Sequence, residues 1–433
     1  MIGYDVIFVV LSNLPLFVQE YVLGFVSWLQ SPPNIINILA VISFGSIHIS
    51  KNIGKLITLA IHSLKQRIVS NPVIPQISYP KISVLIPAHN ESDTIVDTIK
   101  SVLTNSYQNK EIIVIDDNST DDTYHLIHTF YERRLIRIVR RMGGEVSKAA
   151  AINHGSTYAT GDAIMTMDGD TLLGKNSLKE VAKYMSDPNI VGVAGNVQVL
   201  NGDGCVNSIV TKCQVYEYTE VFELGKRSEA ILGTLIILPG TFAVFRKDIF
   251  IEIGMLDEDS IVEDLDLTFK LYKTGGKVMY APEAVARTYC PGNWRAWIRQ
   301  RLRWNTGNIV TLINHKEAIS SRNMSFKKIY IFALFDMLAL DIFLLCLRLV
   351  VITHIIFKGF DQGLQFTFTV IIILYFFTEI LAFVVSGILS SRPHVLKYLY
   401  ISPLMVFIYK PLCIFVHLYS YIIVLAKKEK IKW

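Results

Sequence analysis

The segment KISVLIPAHNE, residues 81–91, decides how the chain is read. It is a hydrophobic run with β-branched residues, ended by a proline and then by polar groups. EIIVIDDNSTDDT (111–123) is a second run of the same kind, ended by acids. Between them SDTIVDTIKSVLTN (92–105) spaces its apolar residues as a helix does. Strand, helix, strand is the signature of a parallel sheet with ligand groups at the carboxyl ends of its strands. AIMTMDGDT (163–171) adds another strand ended by acids. The spacing predicts an α/β fold with a doubly wound, mostly parallel sheet. No GxGxxG follows the first strand, which argues against dinucleotide binding.

Outward from this middle region the composition changes. Of 433 residues, 51% are hydrophobic and only 18% charged, so part of the chain is expected in lipid. Apolar stretches at 6–29 and 35–59 are each long enough to cross a bilayer once, with QSPPN as the turn of a hairpin. No charged n-region or small-residue cleavage site precedes them. Lys51, Lys55, Lys65 and Arg67 then place the following domain in the cytosol. Three more candidate spans follow at 329–357, 366–389 and 399–426. Five crossings would put the tail KKEKIKW outside, against the positive-inside tendency, so either that tendency fails or one segment is re-entrant. Asp336, Asp341 and Arg348 lie within the third stretch, where charges either face a bundle interior or an aqueous path, or pair within the helix and snorkel near the ends. Five cysteines (205, 213, 290, 346 and 413) without a CxxC pair argue against a zinc site or a disulfide framework. A net charge of +5 is too small on such a chain to imply a nucleic-acid partner.

The acids carry the chemistry. Asp116 and Asp117 close the second strand, where they either accept hydrogen bonds from a ribose or base or cap the helix opening near Thr120. Asp168 and Asp170 flank Gly169 at a strand end, so both reach one hard cation that also binds phosphate oxygens, or they simply form a turn. Glu263 and Asp264 open the helical segment LDLTFKLYKTGG (265–276), as dipole-favourable acids or as a general base whose pKa rises beside a like charge. Lys148, at a helix start in SKAAAIN, is a solvated residue or a cation for phosphate.

PAHNE, DD, KAAAIN, DGD, PGTFAVFR, VED and QRLRW occur together and in this order. The set, over residues of roughly 80–310, resembles the processive membrane glycosyltransferases of family 2, the group containing chitin, hyaluronan, cellulose and poly-N-acetylglucosamine synthases. The resemblance implies a GT-A fold, a nucleotide-sugar donor with UDP-N-acetylglucosamine expected, and an inverting single displacement. At matching positions it implies that Pro87, Asn90, Glu91, Asp116, Asp117 and Lys148 bind the nucleotide. Asp168 and Asp170 would hold Mg²⁺ or Mn²⁺, Asp264 would be the base with Glu263 beside it, and Gly240, Thr241 and Phe242 would line the acceptor site. The usual Thr before Glu-Asp is Val262 here, and NTGN follows the tryptophan where relatives carry other small or polar residues.

If QRLRW is helical, Gln300, Arg303 and Trp304 share one side. An arginine fork matches the phosphate of a departing nucleoside diphosphate, a role lysine fills less well. Trp304 offers a flat face to an acceptor sugar, and Gln300 hydrogen-bonds without adding charge. Trp294, Trp297, Ile298, Ile309 and Leu312 project to another broad face that suits an interfacial amphipathic helix at headgroup level. The expected organisation is a transmembrane hairpin over 1–68, a cytosolic GT-A domain over 69–290, interfacial helices over 291–328 and transmembrane helices over 329–433. The expected protein is a multi-pass plasma-membrane synthase that polymerises and exports a polysaccharide. A single-transfer enzyme acting on a polyprenyl phosphate or other lipid is the alternative, and a receptor or transporter that only binds nucleotide is the third.

Overall fold

The computed structural model of the chain describes residues 34–68, 79–200 and 208–426, with isolated positions before 34. Eight strands form one sheet: β1 (Ile82–Ala88), β2 (Lys110–Asp117), β3 (Arg137–Arg141), β4 (Ala163–Met167), β5 (Thr171–Leu173), β6 (Ile190–Val199), β7 (Phe242–Arg246) and β8 (Lys277–Thr288). Their order is β3-β2-β1-β4-β7-β6-β8-β5. β1 runs parallel to β2 and β4, and β2 parallel to β3, as the strand-helix-strand reading requires. β7 lies antiparallel to both β4 and β6, and β5 antiparallel to β8, so the sheet is mixed on its far half.

The apolar run of β1 is continuous because both faces are covered: Ile82, Val84, Leu85 and Ile86 are all fully buried. One cover is helix α1 (Ile95–Leu103), whose Ile95, Ile99 and Val102 face the core. Another is helix α2 (Lys148–Ser156), where a Cβ on Gly155 would meet Ile115 at 2.5 Å. Helix α3 (Ile209–Thr219) follows β6, and α4 (Glu263–Lys273) ends before Gly275, whose φ of +82° takes the left-handed exit. Helix α5 (Trp294–Asn314) contains QRLRW and begins at Asn293, whose side chain accepts the Ala296 N–H.

By contacts the chain divides into two compact units, one of Met1–Gly54 with Ala339–Glu379, the other of Lys55–Leu338 with Ile380–Trp433. Among the described residues three helices are long and apolar enough to cross a membrane, Met324–Lys358, Gln362–Leu389 and Pro393–Ala426. Ile35–Gly45 and Ile49–Lys65 form a pair bent by 56°, a broken span or a re-entrant loop. Most of the apolar stretch at 6–29, the tail KKEKIKW, Cys205 and the Asp341 side chain lie outside the described residues. Within the first unit Arg348 Nε donates to the Ser43 carbonyl at 2.9 Å, and Asn52 donates to the fully buried Glu379 at 3.3 Å. Arg348 therefore reaches a neighbouring helix segment of the same unit.

Packing is close where β6 changes its register against β8, between Gly195 and Asn196. A Cβ on Gly195 would stand 2.1 Å from the Phe242 ring, which is fully buried. Gly195→Ala is expected to destabilise the fold by about 1–3 kcal/mol through overpacking. Denaturant or thermal unfolding in detergent against wild type checks this.

Candidate active site

Register brings the strand ends together, with Ala88 opposite Asp116 and Asp116 and Asp117 opposite Arg140 and Arg141. Asp116 accepts from Arg140 Nε at 3.2 Å and from the Ser119 amide at 3.3 Å. Asp117 accepts from Arg141 at 2.6 Å and from the Ser147 amide, at the start of α2, at 2.8 Å. These acids do not cap the next helix, which starts only at Thr123 with Asp122 at its N-cap position. Arg140 also lies over the Tyr124 ring, 4.0 Å from its centroid. Pro87 is half-buried at the end of β1. Asn90 holds a left-handed φ of +56° while its side chain accepts the Thr120 amide at 2.8 Å, so the loop after β1 is fixed to the loop after β2.

The second cluster gathers five carboxylates around one ammonium. Lys148 Nζ contacts Asp168 Oδ1 and lies 3.5 Å from Glu263. Burial opposes its charge, but Asp168 and Glu263 more than offset this and hold its pKa above the ordinary lysine range. Burial likewise pushes Asp168 up, yet Lys148, Thr241 and Arg303 bring it below the usual carboxylate range. Thr241 Oγ1 donates to Asp168 at 2.9 Å. Asp170 is pushed up to about 6, first by burial and then by Asp168 and Glu91, while Thr288 donates to it at 3.1 Å. Glu91 is raised by burial, partly relieved by a 2.7 Å hydrogen bond from Thr94. Gly169 has a geometric cause: its Cβ would stand 3.0 Å from Glu91 Cγ and 3.3 Å from the Pro87 carbonyl. DGD is thus pressed against the end of β1.

Asp264 opens α4 and receives the Gly240 amide at 3.2 Å and the Leu265 amide at 2.8 Å. Burial and the neighbouring Glu263 still push it up to about 6. A Cβ on Gly240 would stand 3.0 Å from Lys148 Nζ, so this glycine lets the loop before β7 lie on the cluster. Phe242 departs from the expected acceptor lining: as the first residue of β7 its ring is fully buried against Gly195 of the neighbouring β6, while Thr241, in the turn before β7, reaches Asp168.

QRLRW lies within α5, as its helical reading requires. Arg303 is exposed and close enough to Asp168 to lower its pKa. Gln300 Oε1 is buried without a hydrogen-bond partner. Arg301, given no role by its sequence position, is central: its guanidinium lies 4.5 Å from the Trp304 ring centroid and bonds Glu217 of α3 at 2.6 Å. Tyr409 also donates to Glu217, at 2.7 Å, and accepts the Trp297 indole N–H at 2.8 Å. Much of the apolar face of α5 consequently packs against other parts of the same unit. Trp297, Ile309 and Leu312 are buried, and Trp294 and Ile298 pack in the cluster that contains Tyr409 and Phe383.

Among the described residues no group of three or more His, Cys, Asp or Glu side chains is arranged to hold a metal by itself. Asp168 and Asp170, hard oxygen donors on either side of Gly169, nevertheless fit a divalent cation that takes its other ligands from a bound phosphate. Asp170, with its proton affinity raised by burial and then by neighbouring acids, is relieved by added positive charge.

A sheet whose parallel half ends in DD and DGD, with antiparallel β7 beside it and the helix that begins with Glu263 and Asp264 across the cleft, defines the GT-A class of nucleotide-sugar transferase folds. Residues 83–254 match the model of the family described as Glycosyl transferase family 2. The chain resembles the poly-N-acetylglucosamine synthases of that family. It is 33% identical over 233 residues to the poly-beta-1,6-N-acetyl-D-glucosamine synthase of Staphylococcus aureus strain MSSA476, 54% of this chain and 55% of the relative. The synthase of the same description from Staphylococcus epidermidis is 31% identical over 233 residues, with the same coverage. The match spans about half the length of these curated relatives. A mannosyltransferase from Pyrobaculum calidifontis, solved with GDP-Man and Mn2+, superposes with a TM-score of 0.58 at 18% identity, covering 86% of this chain and 98% of its own. That likeness shows the shared fold.

Glu217→Leu leaves the Arg301 guanidinium buried without its counter-charge and is expected to cost about 3–5 kcal/mol. Adding Arg301→Met to that variant should recover most of the loss, and unfolding midpoints of the single and double variants check both.

Proposed function

We propose that this chain is a membrane-embedded inverting glycosyltransferase that polymerises N-acetylglucosamine from UDP-N-acetylglucosamine. The observation that carries the reading is the convergence of Asp168, Lys148, Glu263 and Asp264 in one cleft with Arg303 beside them. The printed descriptions of the staphylococcal relatives supply the sugar. In the proposed organisation residues 1–68 form a membrane hairpin, 69–290 the cytosolic catalytic domain, 291–328 the helices at the membrane surface and 329–433 the membrane helices, in the plasma membrane. A polymer made at the cytosolic face is exported across that bilayer.

Asn90, Glu91, Asp116 and Asp117 border the nucleotide, and Pro87 shapes the strand end beneath it. Asp168 and Asp170 hold Mg²⁺ or Mn²⁺, which neutralises diphosphate charge when bound. Asp264 accepts the proton of the acceptor hydroxyl as its oxygen bonds to the donor C1 from the face opposite the diphosphate. The C1–O bond to the diphosphate breaks, its electron pair leaves on UDP, and Arg303 and Lys148 meet the growing negative charge. Trp304, with one face taken by Arg301, offers the other to the acceptor ring, and Gln300 supplies a buried carbonyl for a hydroxyl or amide N–H. Gly240 and Thr241 hold Asp264 and Asp168 on the acceptor side.

Asp264→Asn is expected to abolish transfer while leaving UDP affinity within a few-fold of wild type; loss of both together would remove the base assignment. Because Asp264 must be ionised, kcat/KM should fall as pH drops through about 6, the value burial and Glu263 give it, and rise above it. Incubation with labelled UDP-N-acetylglucosamine and Mg²⁺ or Mn²⁺ should yield a polymer ladder that chelation prevents. A mono-glycosylated lipid instead would select the single-transfer alternative.

A further inference from the structure

Asp264 and Asp266 are two residues apart on α4, about 200° around the helix, so they point to opposite sides. Asp264 faces the cleft; Asp266 is buried on the reverse side, where His315 Nε2 lies 2.7 Å from one oxygen and Lys270 Nζ 2.8 Å from the other. His315 follows the last residue of α5, the helix that carries Arg303. Around the pair stand Glu317, 3.7 Å from His315 Nδ1, and the rings of Phe269 and Phe326 at 5.3 and 6.2 Å from the imidazole. One other place joins the same two helices closely: a Cβ on Gly307 of α5 would stand 1.8 Å from Val262 Cγ2, immediately before α4. A glycine against Val262 fixes how near the helices come, and the buried pair, further along both, fixes their rotation and register.

A buried ionic contact seldom adds net stability over an apolar one, and its best attested use is to specify one register. We infer that Asp266 and His315 form a positioning pair that sets Asp264 on α4 against Arg303 on α5. The inference rests on the glycosyltransferase reading of Asp264 and Arg303. Neither residue of the pair touches substrate in this account; the pair acts through the helices it joins. A base and a leaving-group cation displaced by an ångström lose geometry that binding alone does not need.

The test uses the full chain in detergent with UDP-N-acetylglucosamine and Mn²⁺, following UDP release. His315→Leu is expected to lower kcat about ten-fold or more with donor KM within two-fold, and His315→Gln, which keeps a donor near Nε2, to restore most of the rate. A His315→Leu rate within two-fold of wild type, or equal losses in the Leu and Gln variants, overturns the pair. If His315→Leu is not monodisperse, Asp266→Asn carries the same comparison by the same thresholds. A wild type that releases no UDP sinks the functional reading, and amide exchange then judges the pair. Joint loss of protection at 265–268 and 303–307 in His315→Leu, or in Asp266→Asn where that variant stands in, supports it, and unchanged protection overturns it.

Discussion

A single ammonium group holds together a cleft that would otherwise repel itself. Lys148 stands between Asp168 and Glu263, within electrostatic reach of Asp264, and is itself placed by the first turn of α2, whose cap residue Ser147 donates its amide to Asp117. Burying several carboxylates is costly unless positive charge is brought in with them. The sheet supplies that charge at the ends of its parallel strands. The consequence is an uneven distribution of protons: Asp168, in contact with the ammonium, stays acidic, while Asp170 and Asp264, farther from it, are pushed up to about 6. One cation therefore sorts chemically identical side chains into different roles.

The same economy governs the close approaches. Gly169 brings DGD onto the end of β1, Gly240 lets its loop lie on Lys148, and Gly307 brings α5 against Val262. In each case a missing methyl group sets the distance between two elements that carry site residues. Val262, in the place where the family pattern has threonine, presents methyl groups to this helix crossing and makes it an apolar contact.

Much of this was legible in the chain before folding. Continuous apolar runs ended by acids announce buried parallel strands, so β1, β2 and β4 and the positions of Asp116, Asp117, Asp168 and Asp170 could be read directly. The partners of those acids could not. Arg140 and Arg141 stand 24 positions beyond Asp116 and Asp117, and only sheet register aligns them; the cue was a short stretch with two β-branched residues between arginines, RIVRR. Apolar runs carry no direction, which hid the antiparallel course of β7, and a strand buried on both faces, not motif membership, holds Phe242 in the core. The apolar face of α5 shows the same limit. Tryptophans that suit a headgroup layer suit Tyr409 and the helices around it equally well, and sequence periodicity cannot tell the two surroundings apart.

The arginines on Asp116 and Asp117 also determine how a polyanion meets this surface. Arg140 and Arg141 cancel two carboxylates at the rim in advance, so a diphosphate arriving from solution encounters a border near electrical neutrality. The positive charges left are Arg303 and Lys148, the latter already engaged by Asp168 and Glu263, and counterions shorten the reach of both to about 10 Å at ordinary ionic strength. Capture by such a mouth selects shape ahead of charge: a free phosphate gains little by lingering, and a molecule that can also fill the remaining contacts is the one retained.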